Sequence, residues 1–124
     1  MTIDRNAVTQ EVPIDLETSK PYLNTVAAIQ VSANGVGSEV SPYVAQAVKV
    51  IRESGLPQET YALFTNVEGD LDEVLKVAGE AAKKLAEQGY RTSLVLHMDI
   101  RPGFTGQLTE KPKIVDAILS GKSE

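Results

Sequence analysis

The sequence predicts an α+β fold with the element order β-α-β-β-α-β, and three observations carry that prediction. A β-branched run, "LNTVAAIQVSA" from Leu23, ends in the turn-rich "NGVGSE". A well-marked helix start at Gly69-Asp70 opens a long amphipathic stretch. The most apolar strand-like segment, "RTSLVLHMDI", follows that stretch after Gly89. Joined by right-handed crossovers, these pieces give a ferredoxin-like arrangement, with both helices on one face of a four-stranded antiparallel sheet.

The elements follow in order. Residues 1–21 mix charge, Thr and Pro without sustained periodicity and read as an N-terminal arm, because Pro13 and Pro21 interrupt any helix or central strand. The single domain is expected over 22–120, with 121–124 as a free tail. Ser41-Pro42 offers an N-cap followed by proline in the first helical position. Val44, Val48 and Ile51 then fall at helical spacing, predicting a first helix over 42–54. "LPQETYALFTNVEG" holds two short strand-like pieces, about 58–63 and 64–68, which are too close for an intervening helix. Asp70 and Glu73 have capping-box spacing, and Leu71, Val74, Leu75, Ala78, Ala82 and Leu85 make the apolar face of the second helix. "RPGFTGQLTEKP" reads as a loop and "KIVDAILS" as a short C-terminal helix.

Composition narrows the function. The chain has 124 residues, 42% of them apolar, enough for one domain with a core. Seventeen acidic against twelve basic residues give a net charge of −5 without a basic cluster, which argues against a nucleic-acid partner. Cysteine is absent, excluding disulfides, thiol catalysis and cysteine-ligated zinc, and the lone His97 excludes a multi-histidine metal site. No apolar run approaches the ~20 residues of a membrane span, and the first residues carry no apolar leader, so the expected location is the cytoplasm. No cofactor is expected.

Strand alternation sorts the polar residues. Leu94, Leu96, Met98 and Ile100 should pack under the helices, and Ser93, Val95, His97 and Asp99 should face away. Gln30, Ser32, Asn66 and Glu68 join the second set, so these residues with His97 and Asp99 are candidates for one polar surface. An antiparallel sheet ordinarily keeps one wet face, and Val26, Ala28 and Val95 among the polar groups equally fit an oligomer interface. Glu68 has two readings, a charge near the dipole of the second helix or a ligand contact. Asp99 is expected to make a surface ion pair with Arg101. Without a Ser/His/Asp set, a paired-carboxylate motif or metal-ligand spacing, catalysis has no positive support.

Two stretches, "VGSEVSPYVAQAVKVIRESGLPQET" and "TNVEGDLDEVLKVAGEAAKKLAEQG", followed by "LHMDIR", resemble the small thiamine-binding-protein family over residues 24–103. The most specific element is Thr65-x-x-Glu68-Gly69, which is similar to that family's Thr-x-x-Glu-Gly signature. The resemblance implies non-catalytic binding of thiamine or its hydroxymethylpyrimidine moiety, for sequestration, salvage or sensing. It also implies self-association into dimers that pair as tetramers. In this reading Glu68 accepts from the pyrimidine amino group, Thr65 and Ser32 give hydroxyl contacts, Gln30 or Asn66 an amide contact, and His97 borders the ligand. Phe64, Tyr61 or Phe104 would stack on the ring. The alternative is an interaction module that oligomerises through its open sheet face and takes no small ligand.

Overall fold

A computed structural model describes residues 11–121; the first ten residues of the expected arm and the last three of the expected tail lie outside the described residues. Strands β1 (Asn24–Asn34), β2 (Gln58–Thr60), β3 (Thr65–Asp70) and β4 (Arg91–Ile100) form one antiparallel sheet in the order β2-β3-β1-β4. Helices α1 (Ser41–Glu53) and α2 (Leu71–Ala86) make the two crossovers, and α3 (Gln107–Leu119) follows β4. This is the ferredoxin-like α+β fold that the element order predicts.

Chain entry and turns are set locally. Residues 13–22 fold back on themselves, with Tyr22 N–H donating to the Pro13 carbonyl at 2.7 Å and a bridge between Ile14 and Pro21. β1 ends at a turn in which Gly35 and Gly37 take φ of +80° and +90°, a region that side chains disfavour. Ser41 does not cap α1 as its sequence position predicts. Val40 holds the cap position, and the Glu39 carboxylate accepts from Ser41 N–H at 3.1 Å instead. Hydrogen bonds from the Ser41 side chain and then its backbone hold the Glu39 carboxyl below its usual range. Its contribution to folding is therefore present above its ordinary titration range and is lost as pH falls through the lowered value.

Asp70 does more than the capping box predicts. Its Oδ2 accepts from Asp72 N–H at 3.2 Å, capping α2, and its Oδ1 accepts from Leu23 N–H at 2.9 Å, pinning the start of β1. Among the described residues Glu73 makes no return bond. The buried face of α2 is Val74, Val77, Ala78, Ala81 and Leu85, whereas Leu75 is 42% exposed. The predicted face is thus rotated: Leu75 and Ala82 on one flank and Val77 and Ala81 on the other are both apolar, so the sequence gives no signal strong enough to choose, and the sheet chooses. These side chains pack with Ala47 and Ile51 of α1 against Ala27, Ile29, Val31 and Ala33 of β1 and Val67 of β3. Leu96 and Met98 of β4 reach this core as predicted, but Leu94 and Ile100 stay more than two-fifths exposed.

The largest departure lies after β4. A loop over 101–112 and a short helix from 113 were expected; the helix in fact starts at Gln107 and carries Pro112 inside it. Proline normally removes one helical hydrogen bond and breaks the ladder. The helix survives because its first amides, Gln107 N–H and Leu108 N–H, are held by the Glu68 carboxylate of β3.

Candidate functional site

The Thr-x-x-Glu-Gly stretch of β3 divides its three named residues among three environments. Thr65 stands opposite Ile29 and Val67 opposite Ala27, so both face the helices; Glu68 stands opposite Val26 on the other face. Gly69 has Leu56 against it: a Cβ built there would lie 3.0 Å from Leu56 Cδ2. The Leu56 side chain crowds the position, and a Cβ fits only if that side chain gives by a few tenths of an ångström. Gly69→Ala should displace Leu56 and lower stability by about 1–2 kcal/mol, read as a fall in the urea midpoint. A stability equal to wild type would show that Leu56 yields freely.

Glu68 is 5% exposed and already occupied. Its Oε2 accepts from Asn24 Nδ2 at 2.8 Å and from Gln107 N–H at 2.9 Å, and its Oε1 accepts from Leu108 N–H at 3.2 Å. It therefore supplies the N-terminal cap of α3 across the sheet, at a helix end that favours negative charge. The residue in the cap position itself, Gly106, has φ of +68° and no side chain to offer. Asn24 Nδ2 also donates to the Phe104 carbonyl, tying the loop before α3 to β1. The carboxylate at a strand end thus holds the C-terminal helix across the open face of the sheet. A cavity of about 330 Å³ adjoins it, lined by Tyr22, Asn24, Glu68 and Thr109 among others. Burial, and then the negative charges of Asp70, Glu73, Glu68 and Asp15, push the Tyr22 hydroxyl above its ordinary value.

The other expected residues separate by register. Asn66, Ala28 and His97 form one row on the open face, and Glu68, Val26 and Asp99 form the next. The expected polar surface is therefore one face, but not one pocket. Asp99 pairs with Lys111 of α3. Arg101 lies over the ring of Phe104, 3.6 Å from its centroid. Phe104 is 2% exposed.

Gln30, Ser32 and Thr65 do come together. β3 pairs with β1 only as far as Ile29 opposite Thr65, while β4 pairs with β1 through Asn34. Residues 30–34 therefore have a strand on one side only. Along the vacant side runs a partly open, mostly apolar cleft of about 230 Å³ between α1 and the turn joining β2 to β3. The consecutive residues Ile29, Gln30, Val31 and Ser32 all line it. Residues of both parities can share a wall only where a cleft follows the edge of a strand. Val44, Ala47, Val48 and Ile51 of α1 form the opposite side, and Tyr61, Leu63 and Phe64 form the mouth. Thr65 Oγ1 donates to Thr60 Oγ1 at 3.3 Å, and Arg52 donates to the same oxygen at 3.2 Å, so the polar end of the cleft is already ordered. Tyr61 donates its hydroxyl to the Glu59 carboxylate, a bond that raises the tyrosine titration, and it places an acidic group at the rim.

The sequence reading names Gln30, Ser32 and Thr65 but misses the α1 wall, where Val44 and Val48 look like ordinary core positions. The available signal is the shortness of the segment between Pro57 and Phe64, which leaves β2 and β3 too short to cover all of β1. Among the described residues no cluster of His, Asp or Glu is arranged to hold a metal ion, and no helix is long and apolar enough to cross a membrane.

The fold and cleft define a small ferredoxin-like domain with a ring-sized recess at its sheet edge. Residues 27–116 match the family model for thiamine-binding proteins, and the chain belongs to that family. It is 39% identical over 98 residues to the UPF0045 protein Mb1933 of Mycobacterium bovis, covering 78% of this chain and 96% of that one. A solved hypothetical protein of Methanocaldococcus jannaschii superposes with a TM-score of 0.70 at 33% identity, over 75% of this chain and 96% of that chain. A Bacillus cereus domain of unknown function shares the fold, with a TM-score of 0.63 at 23% identity over 71% of this chain and 88% of that one.

Proposed function

We propose that this protein binds thiamine or its hydroxymethylpyrimidine moiety in the cleft along the free edge of β1. The reading is non-catalytic and fits sequestration, salvage or sensing in the cytoplasm. The observation that carries it is the stretch of residues 30–34, paired on one side only, beside an apolar recess of about 230 Å³. A strand edge presents alternating N–H and C=O groups, and an aminopyrimidine presents an amino donor beside a ring-nitrogen acceptor, so the two edges are complementary. Val44, Val48 and Phe64 would cover the ring faces, while Gln30, Ser32 and Thr65 add polar contacts. The thiazolium cation would lie toward the mouth, near Tyr61 and the acidic Glu59. The family description supports the ligand class.

Glu68 has a different role in this proposal from the one its motif implies: it holds α3, and its donors come from the chain itself. Calorimetric titration separates the two. Thiamine and hydroxymethylpyrimidine are titrated into wild type, Gln30→Ala and Thr65→Val. Ligand at 100 times its dissociation constant should stabilise the native state by about 2.7 kcal/mol, and each variant should bind about tenfold more weakly. Absence of heat and of thermal stabilisation at millimolar ligand would remove this reading and favour the alternative, in which the exposed sheet residues assemble copies and take no small ligand.

A further inference from the structure

The cleft along β1 has one polar end, and the donors gathered there have no charged acceptor. Thr60 of β2 stands opposite Thr65 of β3 on the side of the sheet that faces the helices, and both line the cleft. Arg52, in the last turn of α1, reaches the same point. Its guanidinium donates to Thr60 Oγ1 at 3.2 Å, Thr65 Oγ1 donates to that oxygen at 3.3 Å, and Thr60 Oγ1 donates onward to Gln58 Oε1 at 3.4 Å. Three donors therefore converge, each in a bond at or beyond the long end of the ordinary range. Neutral hydroxyl and amide oxygens are weaker acceptors than an anion, which would shorten and strengthen all three. Arg52 is exposed and makes no ion pair among the described residues. The nearby carboxylates are engaged elsewhere. Glu53 pairs with Lys49 at 3.8 Å, and Glu59 accepts from Tyr61 on the other face of β2, where it stands opposite Asn66.

We propose that Arg52, Thr60 and Thr65 form a phosphate subsite, so that the cleft takes its pyrimidine ligand as a phosphate monoester. The proposal rests on the ligand reading of the same cleft and adds the anion to it. A monoester carries close to two negative charges at neutral pH and three strong acceptor oxygens, a match for one guanidinium fork and two hydroxyl donors. Placement follows from register. Thr65 stands opposite Ile29, and the free edge of β1 begins at the next residue, Gln30. A ring seated on residues 30–32 therefore has Thr65 at its near end. The one-carbon arm of hydroxymethylpyrimidine then points its phosphate at the two hydroxyls and at Arg52 behind them. Thiamine phosphate is built differently, because its phosphate sits at the far end of the thiazolium arm and would lie toward the mouth, beside Glu59.

Calorimetric titration of hydroxymethylpyrimidine, hydroxymethylpyrimidine phosphate, thiamine and thiamine phosphate into wild type, Arg52→Ala and Arg52→Glu tests this. Arg52 is exposed, so both variants should fold and melt close to wild type. In the wild type hydroxymethylpyrimidine phosphate should bind about tenfold more tightly than hydroxymethylpyrimidine, the scale of one charge-assisted contact open to solvent. Arg52→Ala should erase that difference and Arg52→Glu should reverse it. The gain should shrink at about 0.5 M salt, which screens an exposed pair, and again near pH 5, where the monoester keeps about one charge. Thiamine phosphate should gain nothing over thiamine. Equal affinity for hydroxymethylpyrimidine and its phosphate in the wild type overturns this proposal and leaves the ligand reading standing. A gain that survives Arg52→Ala, or one confined to thiamine phosphate, puts the anion elsewhere and overturns the subsite. If none of the four compounds binds at millimolar concentration, both readings fall.

Discussion

Glu68→Ala should lower the stability of the fold by about 2–4 kcal/mol, the largest loss expected from any single change to a polar residue here. The substitution removes an acceptor from Asn24 Nδ2, Gln107 N–H and Leu108 N–H at a site almost closed to water. It leaves two helix-terminal amides with no partner, and it removes a negative charge from a helix N-terminus. Glu68→Gln keeps the size but turns one oxygen into a donor that faces donors, and should lose about 1–3 kcal/mol. Chemical denaturation gives the size of the loss. Amide hydrogen exchange gives its place, and the fastest gain should fall at Gln107 and Leu108. Stability within about 0.5 kcal/mol of wild type would mean that α3 is held by something other than this carboxylate.

The second large effect is on binding. Val44 is half-buried on the α1 wall of the cleft, and Val44→Trp should fill the recess with an indole while the rest of the core keeps its packing. Thiamine affinity should fall by at least about 100-fold, because the ring position is then taken. The melting temperature without ligand should change by only a few degrees. If the variant binds as well as wild type, the ligand lies elsewhere, and the cavity beside Glu68 and Tyr22 becomes the leading location. Together with Glu68→Ala the variant separates structure from recognition: one should lose stability with the cleft intact, the other binding with the fold intact.

These two sites show what a sequence can reveal of this fold and what it hides. β1 is legible because its β-branched residues alternate around small ones, and α2 because Asp70 marks its start. The face of α2 is less legible, since Ala78, Ala81 and Ala82 weigh equally and only contact with the sheet selects Ala81. The first part of α3 is hidden for a plainer reason. Pro112 reads as a breaker, and the group that caps the helix lies 39 residues upstream on β3. No window of neighbouring residues contains both. The Thr-x-x-Glu-Gly stretch shows that the three residues matter without showing that Thr65 walls a cleft, Glu68 anchors a helix on the opposite face, and Gly69 admits Leu56. The cleft itself follows from register: it exists because β3 stops pairing at Thr65 while β1 continues to Asn34. Composition carries no trace of where a strand loses its partner.

The most direct test of the central claim, a thiamine-type ligand seated on the free edge of β1, is a titration of isotope-labelled protein with thiamine followed by amide chemical shifts. Shifts should concentrate at residues 30–34, at 60–65 and on the α1 face from Val44 to Ile51, with Gln107 and Leu108 left in place. Shifts centred on Glu68, Gln107 and Leu108, or spread over the row of Asn66, Ala28 and His97 on the open sheet face, would contradict it.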